Sequence, residues 1–422
     1  MGTDSVIPAT ELTAEYDRLL AFGRRFPHPD GGAAWLGDDA TPMLDRPVFT
    51  YLTARMAHVY LLGSMTGADG ANVLADTALA ALDGRLRDDD EGGWFLRVGG
   101  TPTDAEDEAA TAKDCYAHAF VVLAASTATV AGHPSGRRLL DDALGVWLGR
   151  FWEEPAGMFV DNWDRPFAHV DGYRGMNANM HGVEALLAAA DATGDAGHLD
   201  KALRVADRVI TQAEAHCWRI PEHYTPSWTP DLRYNADRPD DPFKPFGATV
   251  GHALEWSRLL LHLDAAGGGS NDDHGAAASQ SDRLVQAARS LFDRAVSDGW
   301  AADGADGFVY TTDFDGHPVV HDRLHWVVCE GIAAAAALHR RTGEPRYAEL
   351  ARQWWGYAKA RVLDLDAGSW RHQLDRFNRP IASVWAGKPD LYHAVQAMLI
   401  PQLPLAPGLA RAVREGLLNR QD

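Results

Sequence analysis

The chain has 422 residues, 46% of them hydrophobic and 23% charged, with a formal net charge of −20. That is globular composition with length for a large core, and no run of 18 apolar residues suggests a membrane span. A field of that sign repels phosphate backbones and argues against nucleic acid as a partner.

The opening "MGTDSVIPATELTAEYDRLL" has neither a basic n-region nor an apolar h-region, so no secretory signal is expected. Cys115, Cys217 and Cys329 are widely spaced and odd in number. They suit a reducing cytoplasm and fit neither a disulfide framework nor a paired-cysteine metal site.

Two kinds of helix alternate along the chain. One kind is charged on one side and runs over about 10–25, 69–86, 134–152, 197–216, 282–298 and 345–361, as partly solvated outer helices should. The other kind is alanine-rich and apolar almost all round, as a helix packed on both flanks should be. Its members start in "RPVFTYLTARMAHVYLLGSM", "KDCYAHAFVVLAAS", "NANMHGVEALLAAAD", "KPFGATVGHALEWSRLLLHL", "RLHWVVCEGIAAAAALHR" and "KPDLYHAVQAMLIP". With His58, His118, His181, His252, Val327 and His393 in register, the steps are 60, 63, 71, 75 and 66 residues. A period of that size signals one supersecondary unit repeated six times.

Glycine- and aromatic-rich pieces follow the outer helices: "GGWFLRVGG", "GMFVDNWDRPF", "GFVYTTDFDGHPV" and "GSWRHQLDRFNRP". They read as β-hairpins with Asp, Asn and Gly in the turns. The unit is therefore outer helix, hairpin, inner helix. Closed on itself it predicts an all-α (α/α)6 barrel of six helical hairpins, with short β-hairpins on one rim and residues 1–422 as a single domain. An open solenoid is the competing arrangement. The polar residues at the starts of the inner helices favour closure, which would gather them in one cavity. Residues 265–283, "AAGGGSNDDHGAAASQSDR", read as a flexible surface loop inserted in the fourth repeat.

His181, His252 and His393 share one repeat position, and Glu184 and Glu255 follow two of them by three residues, on the same helix face. The fifth repeat keeps the carboxylate as Glu330. Any one such histidine is well explained as a hydrogen-bonded core residue. Three in register weaken that explanation, because packing alone would accept any apolar residue there. His58 and His118 are assigned to structure or to the outskirts of a site.

No HExxH stands in the sequence, and no inner helix has two histidines four apart. His317, His321 and His325 are four apart but begin in a predicted hairpin, so the spacing does not place them on one face. The glycines 267–269 are not followed by GKS or GKT, so no phosphate loop is read there. Neither metal nor cofactor is expected. Paired imidazoles suit proton transfer at neutral pH, as in isomerising an open-chain aldose through an enediolate. Its oxyanion needs a cationic donor. Arg55 is the candidate, because an arginine inside an apolar inner helix is costly unless it faces a polar cavity; a buried ion pair is its bland explanation. The 14 tryptophans and 11 tyrosines could stack on sugar faces, although core packing is their commoner use.

Taken together, "FGRRF", "GGAAWLG", "YLTARMAHVY", "GGWF", "YRGMNANMHGVEA", "FGATVGHALEWSRLLLHL", "DGADGFVYTTDFDGHPVV", "GSWRHQLD", "VWAGKPDLYHA" and "IPQLPLAPG" resemble the N-acylglucosamine 2-epimerase superfamily over essentially the full length. Within it they are most similar to the branch of bacterial mannose isomerases and sulfoquinovose isomerases. The resemblance implies an (α/α)6 barrel, metal-independent chemistry on a small sugar, and His252 and His393 as the acid/base pair. His393 would move the proton between C2 and C1, and His252 would serve ring opening and the O5 and O1 protons. It places Arg55, Asn177, Asn179, His181 and Glu255 around the sugar, with Tyr116, Trp326 and Trp385 lining the pocket. Glu255 would fix the tautomer of a catalytic imidazole. The sulfoquinovose branch has an arginine before "FG" and a Trp-Gln pair after "GSW"; here stand Lys244 or Pro245, and Arg371 with His372. Interconversion of mannose and fructose is therefore the leading expectation. A sugar 2-epimerase, a sulfoquinovose isomerase, an (α/α)6 glycoside hydrolase resting on Glu184, Glu255 and Glu330, and a non-catalytic solenoid or sugar-binding protein are the alternatives.

Overall fold

The computed structural model of the protein describes residues 6–101, 108–267 and 274–418. Six inner helices carry the barrel: α2 (Thr50–Met65), α4 (Cys115–Ala131), α6 (Met176–Thr193), α8 (Val250–Gly267), α10 (His325–Thr342) and α12 (Tyr392–Leu399). Six outer helices surround them: α1 (Ala9–Gly23), α3 (Ala71–Asp83), α5 (Gly136–Arg150), α7 (Gly197–Ala215), α9 (His274–Gly299) and α11 (Pro345–Tyr357). Every inner helix packs on the next, and α12 returns to α2, so the ring closes. Among the described residues no helix is long and apolar enough to cross a membrane.

The two burial patterns have one cause. In α4 the run from Ala117 through Ala128 is buried throughout, because helices flank it on both sides and behind. In α7 burial falls on Ala202, Val205, Ala206, Val209, Ile210 and Ala213, a single stripe at helical spacing. Asp114 caps α4 by accepting from the Ala117 N–H at 2.6 Å. Trp94, Trp147, Trp256, Trp354 and Trp370 are fully buried. Burial of such a side chain stabilises by roughly 1.5–3 kcal/mol, so the tryptophans are largely core.

The rim at the start of the inner helices is stitched by two-residue antiparallel pairs. The strand before an inner helix pairs with the chain that follows the next outer helix: Val48–Phe49 with Arg97–Val98, Lys113–Asp114 with Asn162–Trp163, Arg174–Gly175 with His223–Tyr224, and Arg323–Leu324 with Gln373–Leu374. Ala248–Thr249 joins Thr311–Thr312, which also pairs with Pro318–Val320 as a true hairpin. The expected rim hairpins are thus partly hairpins and mainly ties between repeats. The seam between first and last repeats has its own tie. The Lys388 N–H donates to Leu36 O at 2.8 Å, and Trp35 Nε1 donates to Ala386 O at 2.8 Å. Gly387, at φ +83°, lies so close that a Cβ there would stand 2.1 Å from Leu36 O. Glycine is required at that seam.

The expected loop over 265–283 is corrected at its two ends, 265–267 and 274–283, which are helical. Helix α8 runs to Gly267 and α9 begins at His274, leaving 268–273 outside the described residues. Alanine is the best helix former, and the "GAAASQSDR" stretch simply lengthens the outer helix.

Candidate active site

The inner helices begin at one rim, and their first turns line one cleft. Tyr51 and Arg55 come from α2, Tyr116 from α4, Asn177 and His181 from α6, His252 and Glu255 from α8, His325 and Trp326 from α10, and His393 from α12. Phe243, Tyr310, His372, Trp385 and Asp390 complete the wall from the rim loops. His252, His393, Glu255, Arg55, Tyr116, Asn177, His181, Trp326 and Trp385 therefore share one hollow, as the sequence leads one to expect.

Asn179 does not reach it. Its Oδ1 accepts from the Phe159 N–H at 2.8 Å and its Nδ2 donates to Phe159 O and Gly175 O at 3.0 and 2.9 Å, so the whole amide ties α6 to the rim. His58 and His118 also lie outside the cleft. His118 accepts from the Trp94 N–H at 3.1 Å, and His58 lies a turn deeper in its helix, leaving the cleft position of the first repeat to Arg55.

The indole of Trp326 stands between the two predicted acid/base residues, with ring centroids 5.3 Å from His252 and 5.6 Å from His393. His181 lies 6.4 Å from His393, centroid to centroid. Position 251 has to be glycine, since a Cβ there would stand 2.2 Å from the Trp326 ring.

Each of the two histidines is backed by a buried carboxylate. His393 Nδ1 donates to Glu330 Oε1 at 2.8 Å, and His252 Nδ1 donates to Glu222 Oε2 at 3.0 Å. A carboxylate can only accept, so the proton sits on Nδ1 and each Nε2 keeps its lone pair as a base. Glu330 also takes Arg258 Nε at 3.0 Å on its other oxygen. Burial raises the Glu330 carboxyl, but Arg258 and His393 outweigh it and hold the group below its usual range.

The expectation that Glu255 orients a catalytic imidazole is corrected. Its closest histidine is His181, whose Nδ1 is 3.8 Å from Glu255 Oε1, beyond hydrogen-bond range. Glu255 Oε2 is buried with no partner among the described residues. Burial, then the charge of Glu330, pushes its pKa well above the usual range against the pull of Arg258, and so favours the protonated form. Glu184 behaves oppositely. Burial raises it, but His181, Arg258 and Tyr392 hold it well below the usual range. Its Oε1 accepts from Gln396 Nε2 at 2.9 Å and its Oε2 from the Tyr392 hydroxyl. Burial in turn lowers His181 to about 4, keeping that imidazole neutral.

Arg55 is fixed at both ends. Nη1 donates to Asp390 Oδ2 at 2.9 Å and Nη2 to the Tyr116 hydroxyl at 2.6 Å. The guanidinium stacks over Phe120 at 4.3 Å and Tyr392 at 4.8 Å. Among the described residues it is the one arginine or lysine lining the cleft. Lys244 sits over the Tyr173 ring at 3.8 Å, and Arg371 is held by Leu363 O and Asp364. His372 does reach the cleft, stacked on His325 at 3.7 Å.

Two groups of potential ligands occur here, His181 with Glu184 and Glu255, and Glu255 with Glu330 and His393. Arg258 already bridges Glu255 and Glu330, so a cation is present among these carboxylates without a metal. Glu222, Asp390, Arg258, Tyr392 and His325 were not expected from the sequence. Asp390 had a signal, three residues before His393 in the matched segment "KPDLYHA"; Glu222 had none, since it arrives from a rim loop.

The N-acylglucosamine 2-epimerase family model matches residues 31–397. A D-mannose isomerase of Thermobifida fusca is 46% identical over 404 residues, 95% of this chain and 96% of that protein. The chain belongs to the N-acylglucosamine 2-epimerase family. Another D-mannose isomerase, from Pseudomonas cannabina pv. alisalensis, is 45% identical over 95% of this chain and 94% of its own. In three dimensions this family member superposes on a crystal structure of D-mannose isomerase with a TM-score of 0.83 at 27% identity, covering 93% of this chain and 97% of the other. Cellobiose 2-epimerase from Spirochaeta thermophila has the same fold, with a TM-score of 0.78 at 18% identity over 97% of each chain.

Proposed function

We propose that the protein is an aldose–ketose isomerase that interconverts D-mannose and D-fructose without a metal ion, the whole chain forming one catalytic unit. The observation that carries the mechanism is the His393–Glu330 pair facing the same hollow as Arg55. His252 Nε2 assists ring opening by handling the proton exchanged between O5 and O1. His393 Nε2 then takes the C2 proton, and Glu330 stabilises the imidazolium that forms. Electrons move into the C1 carbonyl, giving an enediolate whose oxyanion is stabilised by Arg55. His252 Nε2 carries the O2 hydroxyl proton to the O1 oxyanion, the C2–O2 bond becomes the carbonyl, and His393 returns its proton to C1 to give the ketose. Glu255, as a neutral acid, donates a hydrogen bond to a sugar oxygen; Tyr116, Asn177, His181, Trp326 and Trp385 position the chain.

Retained identity with two D-mannose isomerases over nearly the full length supports this substrate. So does a cleft with one cation already paired to Asp390, which suits a neutral sugar better than a sulfonated one. A glycosidase would need two free carboxylates astride the bond. Glu184 and Glu330 have both oxygens engaged, which argues against it. Three free cysteines, two of them buried, fit a reducing cytoplasm.

The test is incubation with an aldose panel in deuterium oxide. Fructose from mannose, with deuterium at C1, supports the reading. Formation of the C2 epimer alone makes the protein a 2-epimerase, and release of sugar from an oligosaccharide makes it a hydrolase.

A further inference from the structure

A second, larger cavity of about 510 Å³ lies at the opposite end of the barrel. It is roofed by residues 403–411, which run into the short helix α13 (Leu409–Arg414). That size falls within the ordinary range of small-molecule sites. Leu123, Val130, Leu187 and Ile400 make its walls largely apolar, while His58, Ser126, His262 and Gln396 also line it.

Each of these four polar residues has one buried atom with no hydrogen-bond partner among the described residues: His58 Nε2, Ser126 Oγ, His262 Nε2 and Gln396 Oε1. His58, Ser126 and Gln396 are 1%, 0% and 2% exposed. Native proteins leave few such groups unpaired, so these call for a partner.

Their chemistry selects the partner. Thr127 Oγ1 donates to Leu123 O at 2.9 Å, so it accepts from His58 Nδ1 at 2.7 Å and His58 Nε2 is left as a bare acceptor. His262 Nδ1 donates to Leu405 O at 2.7 Å, which leaves its Nε2 in the same state. Burial lowers both imidazoles to about 4, so they stay neutral. Gln396 spends its amide N–H on Glu184 and is left with a carbonyl acceptor. Asp191 and Asp195 add acceptors to the lining.

A chamber rich in acceptors, with the Ser126 and Thr127 hydroxyls, the Arg258 and Arg411 guanidiniums and apolar walls, calls for a ligand that both donates and accepts on a compact carbon skeleton. We propose that this cavity is a second binding site for a small, uncharged, hydroxyl-rich molecule, a sugar or polyol, separate from the catalytic cleft. It has a route to the cleft. Gln396 holds Glu184, and Glu184 holds His181 and Tyr392. An occupant bound to Gln396 Oε1 is thus three hydrogen bonds from a cleft histidine.

The experiment is calorimetric titration of the full chain with D-mannitol, which carries hydroxyls but no carbonyl and is not turned over. Two equivalents are expected on the wild type, one in each site. Ser126→Leu fills the cavity and should remove one equivalent with mannose turnover unchanged; Arg55→Ala should remove the other. Should Ser126→Leu fail to fold, Ala188→Leu fills the same cavity from α6. A single equivalent on the wild type, or two that survive a folded cavity-filling variant, would overturn the proposal and leave the cavity to water. Isomerase activity on mannose is read separately, so failure here does not touch the proposed function.

Discussion

Glu330 holds His393 and Arg258 with different oxygens, at 2.8 and 3.0 Å. One buried carboxylate therefore sets a tautomer and is itself kept ionised. Glu330→Gln keeps the shape but loses the charge that stabilises an imidazolium. Turnover should fall about 10²-fold, and His393→Asn should cost about 10²–10⁴-fold. Steady-state kinetics on mannose checks both; a Glu330→Gln enzyme at wild-type rate would remove the pair from the mechanism.

Glu222 and Glu255 should part company. Glu222→Gln disturbs the His252 tautomer and should slow turnover by about 10–10²-fold. Glu255→Gln replaces one neutral donor by another and should stay within about tenfold of wild type. Equal losses in both variants would contradict the assignment of Glu222, rather than Glu255, as the imidazole's partner.

Gly251→Ala puts a methyl group into the Trp326 ring. Such overpacking costs about 1–3 kcal/mol, and the displaced indole would disturb both flanking histidines. A lowered melting temperature together with lost activity is expected, measured by circular dichroism and turnover.

Acid should weaken the fold early. Burial lowers His58, His181 and His262 to about 4 and His118 and His325 to about 3, against 6.5 for the free side chain. Between those values the unfolded chain binds more protons than the folded one, so stability rises with pH. The contribution is complete above 6.5 and is lost as pH falls towards 4 and 3. Among the described residues five raised carboxyls, Asp114, Asp161, Asp191, Glu255 and Asp322, work the other way, against eight lowered histidines once His198, His223 and His372 are included. Melting temperatures from pH 8 to 4 should decline below 6.5; a flat profile would contradict these buried neutral imidazoles.

Turnover should be unchanged by a strong chelator, because Arg258 supplies the cation among Glu255 and Glu330. Activity lost in chelator and restored by one divalent ion would place a metal in one of the two His–Glu groups.

The repeat was legible because packing on both flanks forces an inner helix to be apolar all round, and any polar residue near its start then stands out. Arg55, His181, His252 and His393 were found that way. Glu222 was hidden because loops carry no periodicity, and its pairing with His252 exists only after the rim is folded. Asn179 misled because it sits beside Asn177 in one segment, yet the helix turns the two amides to different neighbours. The 274–283 end of the expected loop misled because glycines precede it, when its own alanines were already helix.

The seam at Gly387 has a consequence for synthesis. Arg55 relies on Asp390, 335 residues away, and the proposed base, His393, lies beside it. A ribosome-bound chain with five repeats complete would hold Arg55 without its carboxylate partner and would have no such base. The enzyme is thus silent until its sixth repeat has been made, and loss of that repeat should abolish activity and stability together.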